Sequence, residues 1–192
     1  MTRTSALPAL LFAAVVLAGC SSPPKTNFYT LSAAAAPARA DARSPYSVAI
    51  GPVGVPESLD RPQLVLRSGA NQVAIAEFER WAGPLKSEIA LAIAENLKPL
   101  LGGASVFTYP QGVGASVSVS VDVQRFDSAP GEAATIDVLW QVRPAKGAAR
   151  SGRSSVREAA GPGYDALVAA HGRALAAVSR DIAAAIRATQ TP

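Results

Sequence analysis

The sequence predicts a single α+β domain, in which a mostly antiparallel sheet packs one face against two amphipathic helices. Residues 117–123 (VSVSVDV) alternate apolar with polar side chains, which indicates a half-buried strand. Two stretches, 85–101 and 164–186, instead repeat apolar residues every three to four positions, as helices with one buried face do. The chain has 192 residues and is 49% hydrophobic, which suffices for one core and leaves room for tails.

Short runs of β-branched and aromatic residues indicate the remaining strands. These runs are 27–31, 46–53, 63–67, 72–78, 105–109 and 136–142, and a weaker, polar strand candidate covers 148–157. Gly51 and Pro52 predict the end of the second run, and residues 68–71 (SGAN) predict a hairpin between the third and the fourth. The polar run 148–157 is typical of an edge strand.

The two helices have recognisable boundaries. Pro84 suits a first helical turn, and Gly102 and Gly103 suit the helix end. The second helix follows a Gly-Pro-Gly break at 161–163. His171, the only histidine, lies on its apolar stripe; we expect it at the core boundary, because a metal ion would need further ligands that the sequence does not supply.

The N-terminus has the pattern of a lipoprotein signal. Residues 7–18 (LPALLFAAVVLA) carry no charge, are too short to span a bilayer of about 30 Å, and fit the apolar region of a secretory signal. The next residues complete Leu-Ala-Gly-Cys at 17–20, which resembles the bacterial lipobox. We therefore predict a signal peptide at 1–19 and lipidation of Cys20; the competing interpretation is an incidental cysteine in a discarded peptide.

The lipobox resemblance implies cleavage before Cys20, a diacylglyceryl group on its sulfur and an N-acyl chain on its new amine. Three chains exceed the two signals that stable anchoring requires. Ser21 is not the aspartate that usually retains such proteins at the inner membrane, so the periplasmic face of the outer membrane is favoured. We expect residues 20–45 to be a tether with a short β segment, and 46–190 to be the domain.

Composition and motifs argue against several other functions. The 18 Lys and Arg residues are scattered rather than clustered, which does not favour nucleic-acid binding. No nucleophile elbow, phosphate-binding loop or metal-ligand cluster is present in the sequence. We therefore expect a protein that is not an enzyme and that has no metal site and no cofactor beyond the lipid on Cys20.

Several segments together resemble one family, the ABC-type transport auxiliary lipoproteins, also called the PqiC/YmbA family. The segments follow the lipobox in the family's order and cover nearly the whole mature chain. They are 27–31 (NFYTL), 50–53 (IGPV), 59–65 (LDRPQLV), 81–85 (WAGPL) and 123–126 (VQRF), with Trp140 in the next strand.

The resemblance implies a non-catalytic partner of an ABC permease and ATPase system that includes a periplasmic MCE-domain protein. Such systems move phospholipid or similar hydrophobic molecules between the inner and outer membranes. The lipoprotein is expected to engage the MCE protein at the outer membrane, and a homo-oligomer is possible. Two alternatives are a direct lipid-binding carrier and a structural lipoprotein that aids assembly of an outer-membrane complex.

The candidate docking residues are Leu59, Asp60, Arg61, Pro62 and Trp81. The first four lie in a loop between strands, where binding residues are often found. The competing interpretation is structural: an Asp60–Arg61 ion pair would hold the loop, Pro62 would stiffen it, and Trp81 would pack in the core.

Overall fold

The computed structural model describes residues 24–34 and 47–190. The predicted signal peptide, Cys20, Ser21 and the linker at 35–46 lie outside these ranges. In chain order the elements are β1 (Asn27–Tyr29), β2 (Ser47–Gly54), a 3-10 turn (Glu57–Leu59), β3 (Gln63–Arg67), β4 (Val73–Trp81), α1 (Leu85–Leu100), β5 (Ser105–Thr108), β6 (Val117–Ala129), β7 (Ala133–Pro144), β8 (Arg150–Ala159) and α2 (Tyr164–Gln190). The predicted α+β class with two helices is confirmed.

Both helices pack on one face of a five-stranded sheet with the order β5-β2-β6-β7-β8. Helix α1 contacts β2 and β5, helix α2 contacts β7 and β8, and the helices contact each other. The alternation in β6 matches this arrangement, since its valines are buried and the intervening polar residues are exposed. The polar strand β8 lies at the sheet edge, as predicted.

The strands form two mixed sheets rather than one mostly antiparallel sheet. Strands β1, β4 and β3 form a separate three-stranded sheet, in which β1 is parallel to β4. In the larger sheet β2 is parallel to both β5 and β6, whereas β6, β7 and β8 are antiparallel. The alternation of side chains reports which face is buried but not the direction of the neighbouring strand, so the sequence did not reveal the parallel pairs.

The loop from β5 to β6 crosses over β2. A Cβ atom on Gly112 would lie 2.9 Å from the Cβ of Ala49, and Gly112 has a φ of +84°. Any other residue would clash and be strained there, so this glycine permits the crossover that makes β5 and β6 parallel neighbours of β2.

Strands β2 and β6 extend beyond the ends that the sequence predicts. Each contains a bulge, seen as a register shift against its neighbouring strand. Strand β2 continues through Pro52 to Gly54, with a register shift between Ile50 and Val53. A bulge accommodates a proline, which cannot donate to the ladder. Strand β6 likewise continues to Ala129, with a register shift after Val123.

The core lies between the five-stranded sheet and the helices. The fully buried side chains include Ile89, Ile93 and Leu97 of α1 and Leu175, Ile182 and Ile186 of α2. Each such side chain stabilises the fold by about 1.5–3 kcal/mol relative to an exposed one. No helix among the described residues has the length and apolar character needed to cross a membrane.

The segment after β1 lies across the two helices. The amide of Leu31 donates to Glu88 Oε2 at 3.0 Å, and the amide of Ala34 donates to Asn96 Oδ1 at 3.1 Å; both acceptors belong to α1. A Cβ on Gly172 of α2 would lie 2.8 Å from a backbone oxygen of this segment. The predicted tether is therefore bound to the domain from β1 to residue 34.

Candidate docking site

Four of the five candidate docking residues lie together beside the N-terminus of α1. They line a groove of about 460 Å³, which we call the docking groove. Its lining comprises Phe28, Asp60, Arg61, Pro62 and the stretch from Arg80 to Leu85. The fifth candidate, Leu59, lines a different groove.

Backbone contacts hold the docking groove in shape. The 3-10 turn ends at Asp60, whose amide donates to the carbonyl oxygen of Glu57 at 3.2 Å. The amide of Trp81 then donates to the carbonyl oxygen of Pro62 at 2.7 Å. These bonds join the loop to the end of β4, just before α1 begins.

The predicted ion pair between Asp60 and Arg61 is absent; Asp60 pairs with Lys86 of α1 instead. Lys86 Nζ lies 2.9 Å from Asp60 Oδ2. Helix α1, which begins at Leu85, places Lys86 beside the aspartate. Both side chains are more than one third exposed, so the pair contributes little to stability.

Trp81 and Phe28 occupy opposite environments in the docking groove. Trp81 is 5% exposed and packs edge-on against Phe126, with ring centroids 6.1 Å apart. Phe28 is 65% exposed at the mouth of the groove. Sequence analysis did not select Phe28, because a strand of three residues is too short for its alternation to show which side chain points outward.

The docking groove carries positive charge. Within the described residues, no ion pair involves the guanidinium group of Arg61 or of Arg80; Arg80 Nε donates to the carbonyl oxygen of Glu77 at 3.3 Å. Asp60 is balanced by Lys86, so the two arginines leave the groove positive. An exposed aromatic ring beside unpaired guanidinium groups suits a partner segment with acidic and apolar side chains.

Strand β1 is attached to β4 by side chains as well as by backbone pairing. Glu79 accepts hydrogen bonds from Asn27 Nδ2 at 3.0 Å and from the Tyr29 hydroxyl at 2.5 Å. Burial and the bond to Glu79 raise the pKa of Tyr29 to about 12. By holding Asn27 and Tyr29, Glu79 helps to position Phe28 between them.

The second groove lies between the two sheets, and we call it the inter-sheet groove. It has a volume of about 390 Å³ and runs between β3 and the end of β6. Its apolar lining includes Leu59, Val65, Val73, Ile75 and Phe126, and its polar lining includes Arg61, Arg67, Arg125 and Asp127. Both grooves fall in the range of about 300–1,000 Å³ that is typical of ligand sites.

A serine and the single histidine form a buried pair below this groove. Ser128 Oγ lies 2.8 Å from His171 Nε2, and the imidazole stacks on Phe126 at 3.9 Å. Burial lowers the pKa of His171 to about 3, so the ring is neutral near pH 7. Among the described residues, Nδ1 of His171 has no hydrogen-bond partner, so the pair lacks the orienting carboxylate of a catalytic triad there. These contacts fit a role in core packing, deeper than the predicted core boundary.

Comparisons with known proteins agree on one family. The family model for the ABC-type transport auxiliary lipoprotein component matches residues 29–183. One crystal structure, of a protein described only as uncharacterized, is 23% identical with a TM-score of 0.70 and covers 85% of this chain and 99% of its own. Protein XCC0632 of Xanthomonas campestris, from family DUF330, is 18% identical with a TM-score of 0.65 and covers 86% and 98%. At these identities the structures show a shared fold. The comparison with curated protein sequences gave no match.

Proposed function

The chain belongs to the ABC-type transport auxiliary lipoprotein component family, and we propose that it is the adaptor that docks a periplasmic MCE-domain protein at the outer membrane. The observation that carries this proposal is the family match, which spans the Asp60–Pro62 loop, Trp81, all of α1 and α2 as far as residue 183. The family is that of an auxiliary transport component, not a known enzyme.

The position of β1 supports docking close to the membrane. Six residues separate Cys20 from Asn27, and the seven Cα–Cα steps between them span about 25 Å at most when fully extended. With Cys20 lipidated, the docking groove, whose mouth carries Phe28, stays near the bilayer surface. Confinement at a surface raises the effective concentration of a tethered domain, so that weak docking becomes effective.

The docking groove is the proposed contact surface. Interface residues that contribute most to binding are enriched in aromatic and arginine side chains. Phe28 supplies an exposed ring, and Arg61 and Arg80 supply the charge. Asp60 and Lys86 form the rim, whereas Trp81 supports the groove from the core.

We expect the lipidated chain to co-purify with the MCE-domain protein of its transport system, and the double variant Phe28→Ala/Arg80→Ala to lose at least about tenfold in affinity. Loss of one aromatic and one arginine contact at an interface costs on the order of 1.4 kcal/mol or more. Co-purification from detergent-solubilised membranes, followed by titration, measures the effect.

The matched control is Leu139→Ala/Arg150→Ala, which removes an exposed apolar and a cationic side chain from β7 and β8. It should bind like the wild type. The proposed function fails if the wild-type chain does not associate in any membrane-like condition. The groove assignment fails if both double variants bind equally well.

The proposed outer-membrane location rests on Ser21. We expect the lipidated wild-type chain to fractionate with outer membranes on a density gradient, and Ser21→Asp to move most of it to inner membranes. Ser21→Ala serves as the control, because it removes the serine without creating the retention signal. An inner-membrane location of the wild-type chain would contradict the assignment.

A further inference from the structure

The inter-sheet groove continues into a second, polar depression. The depression has a volume of about 540 Å³ and shares Arg67, Arg125 and Asp127 with the groove. Glu132 and Arg157 complete its charged lining. The apolar part of the inter-sheet groove is therefore continuous with the charged polar depression.

The apolar part of this site is exposed. Val73 is 57% exposed and Ile75 is 42% exposed, although both are large aliphatic residues on a strand. Leu59 and Val65 also line the inter-sheet groove. Covering such a surface is favourable by about 25 cal/mol per Å² of apolar area, so an apolar ligand would gain free energy by covering it.

The polar part of this site is net positive. Four arginines, at 61, 67, 125 and 157, line the groove and the depression against the two carboxylates Asp127 and Glu132, so positive charge is in excess in the lining. Behind the lining, Asp137 lies 3.5 Å from Arg125 and is shared with Arg153. Asp127 is already engaged by Arg67 at 2.8 Å. The Nε atoms of Arg61 and Arg67 are buried without a hydrogen-bond partner among the described residues. The other nitrogens of Arg67 already donate to Asp127 and to the carbonyl oxygens of Gly69 and Ala70, so Arg61 is the guanidinium group to which an anionic oxygen would supply a partner.

We propose that the inter-sheet groove and the polar depression together bind one anionic phospholipid, with an acyl chain along Val73 and Ile75 and the phosphate at the arginines. This assigns to the domain a lipid site separate from the docking groove and from the lipid on Cys20. Arg61 lies at the junction of the two grooves, so occupancy of one can influence the other.

A lipid fits this site better than an added strand of a partner protein. Arg67 of β3 and Asp127 of β6 form an ion pair across the inter-sheet groove, with 2.8 Å between the guanidinium nitrogen and the carboxylate oxygen. A peptide strand inserted between them would have to break this pair. An acyl chain needs no backbone hydrogen bonds and can lie along the apolar side chains with the bridge intact.

The test uses the mature chain from residue 20 carrying Cys20→Ser, so that no attached acyl chain competes for the groove. Lysophosphatidylglycerol, with one chain and a net negative head, is titrated below its micellar concentration, with lysophosphatidylcholine for comparison. Calorimetry gives affinity and native mass spectrometry gives stoichiometry. We expect one molecule per chain and a preference for the anionic lipid of about tenfold, because the choline group of the zwitterionic lipid would bring a positive charge close to the arginines.

Two variants separate the two halves of the site. Val73→Ser/Ile75→Ser should weaken both lipids by at least about tenfold, because both lipids lose the apolar contact. Arg61→Gln should weaken both lipids, because both carry the phosphate, and should weaken the anionic lipid more, so that the preference becomes smaller. The control Leu91→Ser/Leu139→Ser changes two comparably exposed leucines elsewhere and should leave both affinities unchanged.

Several results would overturn the proposal. One is that neither lipid binds, and another is that the lipids bind but neither site variant weakens them. A third is that the chain forms a dimer through Val73 and Ile75 and that this dimer dissociates in Val73→Ser/Ile75→Ser. None of these measurements involves the MCE-domain protein. A negative result here would therefore leave the adaptor function intact, and failed co-purification would leave this site intact.

Discussion

Trp81→Ala should lower the free energy of unfolding by about 3–5 kcal/mol, the usual cost of truncating a buried tryptophan. The indole is 5% exposed, belongs to the main core cluster and contacts Phe126 edge-on. Urea unfolding at pH 7, followed by circular dichroism, measures the loss.

The control for this prediction lies in the same groove. Phe28→Ala removes a ring that is mostly in solvent, so we expect a change in stability within about 0.5 kcal/mol. We therefore expect Trp81→Ala to reduce the stability of the fold, and Phe28→Ala to reduce partner binding. If Trp81→Ala kept wild-type stability but lost the partner, Trp81 would belong to the contact surface.

Acid should destabilise the domain through His171. Its pKa is about 3 in the folded state and about 6.5 when unfolded, so the unfolded chain binds the extra proton between these values. The free energy of unfolding therefore falls as pH drops below about 6.5, by up to about 1.4 kcal/mol per pH unit. Between pH 7 and pH 4.5 the expected loss is about 2–3 kcal/mol.

The variant His171→Gln isolates this effect, because glutamine keeps a hydrogen-bonding partner for Ser128 but does not titrate. Its stability at neutral pH will be lower, but its slope between pH 7 and pH 4.5 should be flatter than that of the wild type. Hydrogen bonding to Ser155 and the neighbouring Arg153 lower the pKa of Asp137, and its contribution is lost mainly below about pH 4. Equal slopes in the two proteins would contradict the role of His171.

The candidate docking site was only partly visible in the sequence. The loop residues Asp60, Arg61 and Pro62 were selected because loops between strands often carry function, and the structure brings them together. Phe28 and Arg80 join them only because β1 pairs in parallel with β4, which places Phe28 opposite Arg80 across 52 residues of chain. Residues paired over that distance leave no pattern in the local sequence from which the pairing could be predicted.

The inter-sheet groove could also not be predicted from the local sequence. Val73 and Ile75 looked like ordinary strand residues with one buried face, yet both side chains are exposed. The separation of β1, β3 and β4 into their own sheet opens a slot beside β6. Only the packing of the two sheets brings Leu59 and Arg61 to that slot.

The sequence by itself determined the α+β class, the buried faces of both helices and the half-buried strands; the lipobox at Cys20 is a prediction from the sequence. These features depend on spacing along the chain, because side chains repeat every 3.6 residues in a helix and every two in a strand. Strand direction, the division into two sheets, the Lys86 partner of Asp60 and both grooves were decided by the tertiary structure. They depend on contacts between residues far apart in sequence, which local spacing does not encode.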